Sequence, residues 1–311
     1  MSKGIVERRR EFLKTVAALP VAVAAAASLA TPTHTVAAGE WKSRVKISCN
    51  LYSFNAPLRD GRMTLEEVLE FCAHAGFDGV DPTAYYFPNY PELPSEAYVY
   101  RIKRQAFRLG LDISGTGVRN DFTLPDPVRR RAEVELVKNW VNFAVQLGAP
   151  VLRVFAGKGV PDGHTEQEVT SWVVEALREC ADYGGRHGVM IVLQNHADFI
   201  QTADQVSRIL GSVSSGWLAL NLDIGSFRVG DPYAEIARVA PLAATWQVKE
   251  NMYVDGKEQK TDLEKIMRIV REAKYRGYLP IETLGEGDPK IKIPKFLSEV
   301  QTALFKVTGD K

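Results

Sequence analysis

Four short runs in the second half of the chain end on residues able to move a proton or hold a cation. They are Leu193-Gln194-Asn195-His196, Asn221-Leu222-Asp223, Trp246-Gln247-Val248-Lys249-Glu250 and Pro280-Ile281-Glu282. Each follows a β-type stretch, and alternation along a strand puts Gln194 with His196, and Gln247 with Lys249, on one face. Asp223 and Glu282 are the carboxylates of the set, and paired carboxylates serve as base and acid in proton transfer. An amide offers its oxygen as a ligand but accepts no proton at neutral pH. Lys249 is read either as a buried lysine beside Glu250, with a lowered pKa and a part in proton transfer, or as one half of an ion pair under the barrel rim.

These residues need a frame. From Val45 onward β-type runs alternate with stretches of helical periodicity. Strands are expected at 45–50, 78–82, 111–116, 150–155, 189–194, 217–223, 244–248 and 278–282. Helices are expected at 64–75, 95–109, 126–147, 165–187, 202–211, 231–238, 261–274 and 289–306. Thr64 and either Thr261 or Asp262 stand where helix caps belong, and Gly76, Gly110, Gly148 and Gly188 stand at helix ends. Eight βα units in about 265 residues predict a single (β/α)8 TIM barrel. An open doubly wound sheet would bring a glycine-rich loop after its first strand, whereas Asn50-Leu51-Tyr52-Ser53-Phe54-Asn55 stands there. In a barrel the strand C-termini form the active face, and the four runs end strands five to eight. The same rim receives Asp81 from strand two, Tyr86 and its neighbours Tyr85 and Phe87, Asn120 after strand three, and Arg153 and Lys158 from strand four and its loop. Asp81, Tyr86, Asn120, Arg153 and Lys158 are the candidate substrate contacts. The aromatic residues either stack on a ring or pack the loop.

The strand-end runs resemble the sugar isomerase/epimerase group of the xylose isomerase-like TIM barrels, over essentially all of 39–311. Members of that group commonly end strand five with Glu-Asn-His, strand six with Leu-Asp-Thr/Ile-Gly, strand seven with His-x-Lys-Asp/Glu and strand eight with Ile-Glu. The resemblance implies a divalent cation (Mn, Mg or Ca) held by residues 194, 223, 247 and 282. Asp223 and Glu282 match, whereas Gln194 stands for a glutamate and Gln247 for a histidine. Two carboxylates and two amide oxygens suit a hard cation better than zinc. The alternative for the two glutamines is a pair of amides hydrogen-bonded to neighbouring carboxylates. The implied reaction removes a proton beside a carbonyl, with Glu282 as base and His196, Lys249 or Asp81 as its partner. Because Gln194 accepts no proton, a mechanism with two glutamates does not operate in its usual form.

The resemblance thus implies an isomerase or epimerase of an unphosphorylated sugar or keto-sugar. A lyase or hydrolase acting on 3-keto-glycosides needs one strong base only and is the alternative enzyme. A non-catalytic sugar-binding barrel is the alternative from another class. A trinuclear-zinc nuclease of related fold consumes several histidines, and after residue 38 only His74, His164, His187 and His196 remain.

The first 38 residues read differently from the rest. Arg9-Arg10-Glu11-Phe12-Leu13-Lys14 precedes an uncharged, alanine-rich run, and Val36-Ala37-Ala38 offers a cleavage site before Gly39. This is the pattern of a twin-arginine signal peptide over 1–38 and predicts a periplasmic or otherwise exported protein. The apolar run is too short for a stable membrane span, which takes about 20 apolar residues. A formal net charge of +1 provides no broad basic surface for nucleic acid, so the expected partner is a small carbohydrate. Cys49, Cys72 and Cys180 are odd in number and unpatterned, which predicts buried thiols rather than disulfides.

Overall fold

The computed structural model describes residues 44–309; the expected signal peptide lies outside the described residues. The barrel strands are β1 (Lys46–Asn50), β2 (Gly79–Asp81), β3 (Asp112–Ile113), β4 (Thr116–Gly117), β5 (Val151–Phe155), β6 (Met190–Gln194), β7 (Leu218–Asp223), β8 (Ala243–Lys249) and β11 (Tyr278–Glu282). They form one sheet in the order β3-β2-β1-β11-β8-β7-β6-β5-β4, with every pairing parallel. The single strand expected at 111–116 is in fact two pieces broken at Ser114-Gly115. Ile113 pairs with Val80 on one side and Thr116 with Leu152 on the other, so the two edges of the sheet meet on one segment and close a (β/α)8 barrel. A side chain on Gly115 would place its Cβ 2.8 Å from Val151, which explains the glycine at the changeover.

The helices are α1 (Asn55–Arg59), α2 (Leu65–Ala75), α3 (Glu96–Arg108), α4 (Pro127–Leu147), α5 (Glu166–His187), α6 (Ala203–Gly211), α7 (Pro232–Val239), α8 (Leu263–Glu272) and α9 (Pro289–Thr308). Short side chains start them. Thr64 and Glu67 form a reciprocal capping box on α2, and Asp262, the second of two expected candidates, caps α8 through the Lys265 N–H. Gly76 and Gly188 end α2 and α5 at φ of 89° and 71°, a left-handed turn that returns the chain to a strand. Apolar residues of the helices and of the outward strand positions form one core around Trp140, Trp246, Phe143 and Phe296. All three cysteines are buried free thiols. Among the described residues no helix is long and apolar enough to cross a membrane.

The short helix α1 and one further motif are absent from the expectations. An antiparallel hairpin, β9 (Asn251–Val254) and β10 (Lys257–Lys260), follows β8 through Asp255-Gly256. Both turn residues have positive φ, 51° and 72°, as a two-residue hairpin with a twisted turn requires.

At the C-terminal rim, asparagine side chains extend the ladder one step past the strands. Asn195 accepts from the Asp223 N–H at 2.8 Å and donates to its carbonyl at 3.0 Å. Asn120 does the same for Phe155, at 2.9 and 2.8 Å. Asn195→Ala leaves the buried N–H of Asp223 without a partner and its carbonyl with only a long bond from the Ser226 N–H at 3.4 Å. It is expected to cost about 2–4 kcal/mol and to lower the thermal midpoint by roughly 5–10 °C. Chemical and thermal unfolding of the purified variant measure this, and a loss under about 1 kcal/mol would show that the clamp is dispensable.

Candidate active site at the C-terminal end of the barrel

Asp223 and Glu282 are the last residues of β7 and β11, and β8 runs between those strands. Both carboxylates are buried, at 0% and 2% exposure. Two like charges so placed need a counter-charge, and Lys249, the last residue of β8, supplies it. Its Nζ lies 3.1 Å from Oδ2 of Asp223 and 3.1 Å from Oε2 of Glu282. Burial pulls the Lys249 pKa down, but the two carboxylates outweigh it and hold the pKa above the usual lysine range. This corrects the expectation of a lowered lysine pKa and matches the ion-pair alternative, with Asp223 and Glu282 as the partners. Glu250, the expected neighbour, turns away to pair with Lys292 at 3.1 Å.

The two carboxylates differ in what remains free. Oδ2 of Asp223 accepts from Gln194 and pairs with the Lys249 ammonium, and its Oδ1 accepts from the Gly225 N–H at 2.9 Å. Burial alone would raise its pKa, yet Lys249, Ser226 and the Gly225 amide together hold it below the ordinary carboxylate range. Glu282 receives Lys249 and the Gln247 amide on Oε2 alone. Among the described residues its Oε1 accepts no hydrogen bond.

Gln194 and Gln247 are both buried, and the amide orientation of each is set from two sides. Gln194 accepts from Arg153 at 3.1 Å and donates to Asp223 at 2.7 Å. Gln247 lies 3.5 Å from the Asn221 amide through its oxygen and donates to Glu282 at 2.8 Å. Turning Gln194 over would set its NH₂ against a guanidinium and its oxygen against a carboxylate. The amides therefore hydrogen-bond to the carboxylates, the alternative left open by the sequence. The four residues expected to hold a divalent cation do converge, but the set does not fit one. Both glutamine oxygens are engaged elsewhere, the carboxylates already share an ammonium, and no group of three or more His, Cys, Asp or Glu among the described residues is arranged to hold a metal.

On the other side of Gln194, Arg153 is 4% exposed, and its Nε and second terminal nitrogen have no protein partner. Asp81, at the end of β2, accepts from Asn50 on Oδ2 at 3.1 Å and has no protein partner on Oδ1. Burial pushes the Asp81 carboxyl up, against the pull of the Arg153 charge. Buried polar groups with no partner on the chain mark a place where a polar ligand belongs. Space for the guanidinium comes from Gly117, where a Cβ would lie 2.6 Å from Arg153.

A cavity of about 670 Å³ lies alongside, lined by Tyr52, Tyr85, Tyr86, Phe87, Tyr90 and Arg119. Tyr85 and Arg153 interact, which joins this cavity to the buried polar centre. The Tyr86 hydroxyl donates to Asn55 at 2.9 Å. The remaining expected residues stand apart. Both polar atoms of the Asn120 amide are taken by Phe155, and Lys158 is exposed in its loop. β6 ends at Gln194, so His196 lies in the turn beyond the strand alternation. Its ring sits edge-on to Phe155 with Nδ1 3.0 Å from Asp198, within ion-pair distance but outside hydrogen-bond geometry. Asn50, Asn221, Gly117 and Gly225 were not among the sequence candidates. Asn50 ends β1 and Asn221 lies two residues before the end of β7, on the face of Asp223, so both follow from alternation, whereas the glycines carry no signal of the neighbour they accommodate.

Solved structures of the same fold include a D-psicose 3-epimerase from Clostridium cellulolyticum H10 bound to D-tagatose. It is 16% identical, aligned over 83% of this chain and 99% of that one, with a TM-score of 0.70. The 3-keto-D-glucoside 4-epimerase of E. coli is 13% identical over 84% and 100%, with a TM-score of 0.66. A xylose isomerase-like TIM barrel protein from Mycobacterium smegmatis in complex with magnesium is 18% identical over 83% and 97%, at 0.62. No curated protein matches by sequence. The family description "Xylose isomerase-like TIM barrel" matches residues 69–300, more than half of the chain. The chain belongs to the xylose isomerase-like TIM barrel family.

Proposed function

We propose that this chain is an isomerase/epimerase-type enzyme that takes a proton from the carbon beside the carbonyl of an unphosphorylated sugar or keto-sugar. The observation that carries this is the asymmetry of the carboxylate pair: Asp223 is saturated by donors, while Glu282 keeps Oε1 free at the same cation. A carboxylate so held is a base aimed by its other oxygen. Glu282 removes the proton. Asp81, buried with a free Oδ1 and a raised pKa, returns one to the carbon, and the free N–H groups of Arg153 hold substrate oxygens. The aromatic cavity takes the rest of the ring, since tyrosine faces suit the C–H face of a sugar and their hydroxyls its rim. Two of the structural neighbours are epimerases of a ketose and of a 3-keto-glucoside, which supports the same substrate class here. The twin-arginine pattern at residues 9–14 supports export, and outside the cytoplasm free sugars are more accessible than sugar phosphates.

The test is incubation in D₂O with D-tagatose, D-fructose and a 3-keto-D-glucoside, followed by NMR. Deuterium should enter beside the carbonyl of at least one of them, and Glu282→Gln should lower that rate about 10²–10⁴-fold. Saturable binding without deuterium would make the chain a sugar-binding barrel, and release of the aglycone would make it a lyase. Tyr86→Phe removes the hydroxyl held by Asn55; KM should rise about 3- to 10-fold with kcat within about twofold. An unchanged KM would place the sugar away from the tyrosine cavity.

A further inference from the structure

We infer that the Lys249 ammonium takes the place of a divalent cation in this barrel, bridging Asp223 and Glu282 and offering its third N–H to the carbonyl oxygen of the substrate. This rests on the proton-transfer reading above and adds to it the electrophile, which that reading leaves open.

Three independent features support it. The first is position: Nζ stands 3.1 Å from one oxygen of each carboxylate, the same two groups that would anchor a metal. An ammonium has three donors, and two carboxylate oxygens stand within ion-pair reach of it. The second is the polarity of the amides. Gln194 and Gln247 turn NH₂ groups, not oxygens, toward Asp223 and Glu282, and Arg153 and Asn221 hold them so. A divalent cation needs oxygen at about 2.0–2.6 Å; here it would meet amide protons and would have to share its carboxylate oxygens with the Lys249 ammonium. The third is room for the lysine stem. A Cβ on Gly225 would come 2.7 Å from Lys249 Cδ, so the residue two past Asp223 leaves the channel through which the side chain reaches the carboxylates. The stem is held at both ends and has little freedom to give way.

The step balances without a metal. Oε1 of Glu282 takes the proton, the C–H electron pair becomes the new C=C bond, and the carbonyl π pair moves onto its oxygen. The Lys249 N–H donates to that oxygen throughout and transfers no proton. Asp81 gives a proton back to carbon as the oxygen's electron pair re-forms the carbonyl; Asp81 then regains a proton from solvent and Glu282 releases its own to solvent.

The experiment is a titration of the full protein with MnCl₂, read by electron paramagnetic resonance, beside the D₂O exchange assay before and after dialysis against EDTA. The wild type should show no saturable Mn²⁺ binding below about 1 mM, and its exchange rate should not change with EDTA or added Mn²⁺. Lys249→Met, which frees both carboxylates, should bind Mn²⁺ at least about tenfold more tightly than the wild type while losing exchange. Stoichiometric Mn²⁺ on the wild type that disappears in Asp223→Asn overturns the inference and leaves the sugar chemistry intact, as does exchange that EDTA abolishes and Mn²⁺ restores. No exchange with any probe, with or without Mn²⁺, sinks the proton-transfer reading and the catalytic half of this one. The wild-type titration then still decides which cation the carboxylates hold, even where Lys249→Met does not fold.

Discussion

Everything at the C-terminal end of this barrel is arranged around one ammonium between two buried carboxylates. Removing one partner of such a buried set leaves uncompensated charge and costs about 3–5 kcal/mol, so Lys249 is structural before it is anything else. Its neighbours follow from it. Gly225 clears the stem, Asn195 pins the backbone of Asp223, and Gln194 and Gln247 donate to the same two carboxylate oxygens that the ammonium faces. The two glutamines that depart from the metal-binding pattern are therefore consistent with the lysine. A donor amide suits a carboxylate that already faces a monovalent cation, whereas a charged glutamate at 194 would add a third negative group beside Asp223.

Most of the frame was legible because each element carried its own local signal. Alternation marked the strands, 3.6-residue periodicity and caps marked the helices, and the strand ends fell within a residue or two of where they were expected. The break at Ser114-Gly115 was not legible, because it depends on which strand lies on each side after closure. The Asp255-Gly256 hairpin did carry its turn signal, but exposed, lysine- and glutamate-rich strands such as Lys257–Lys260 lack the apolar alternation that would flag them.

The site was legible by address and less so by contact. Strand ends pointed to Gln194, Asp223, Gln247, Lys249 and Glu282, and these do meet. What a side chain touches once there is a matter of tertiary geometry. Lys249 faces two carboxylates across neighbouring strands and not its sequence neighbour Glu250, which reversed the expected direction of its pKa. The Asn120 amide points to strand β5 and is used up by the backbone of Phe155. His196 lies one turn too late to share the face of Gln194, because β6 has already ended.

The charge count of the centre shows how a lysine can serve where a metal is usual. Asp81, Asp223 and Glu282 face Lys249 and Arg153, three acidic groups against two cations that do not titrate near neutrality. In the reaction proposed, Glu282 becomes neutral as it accepts the substrate's proton, and the lost negative charge reappears on the substrate oxygen. Lys249 then loses one of its two anionic partners as a new one forms within reach. Its interaction with the reacting centre thus strengthens along the reaction coordinate and not in the ground state, which is the condition for catalysis. A divalent ion would hold the oxygen more strongly throughout, but it would also bind the ground-state carbonyl and compete for Glu282. A tethered monovalent cation, already paired with the base, ties electrophilic assistance to the proton transfer itself.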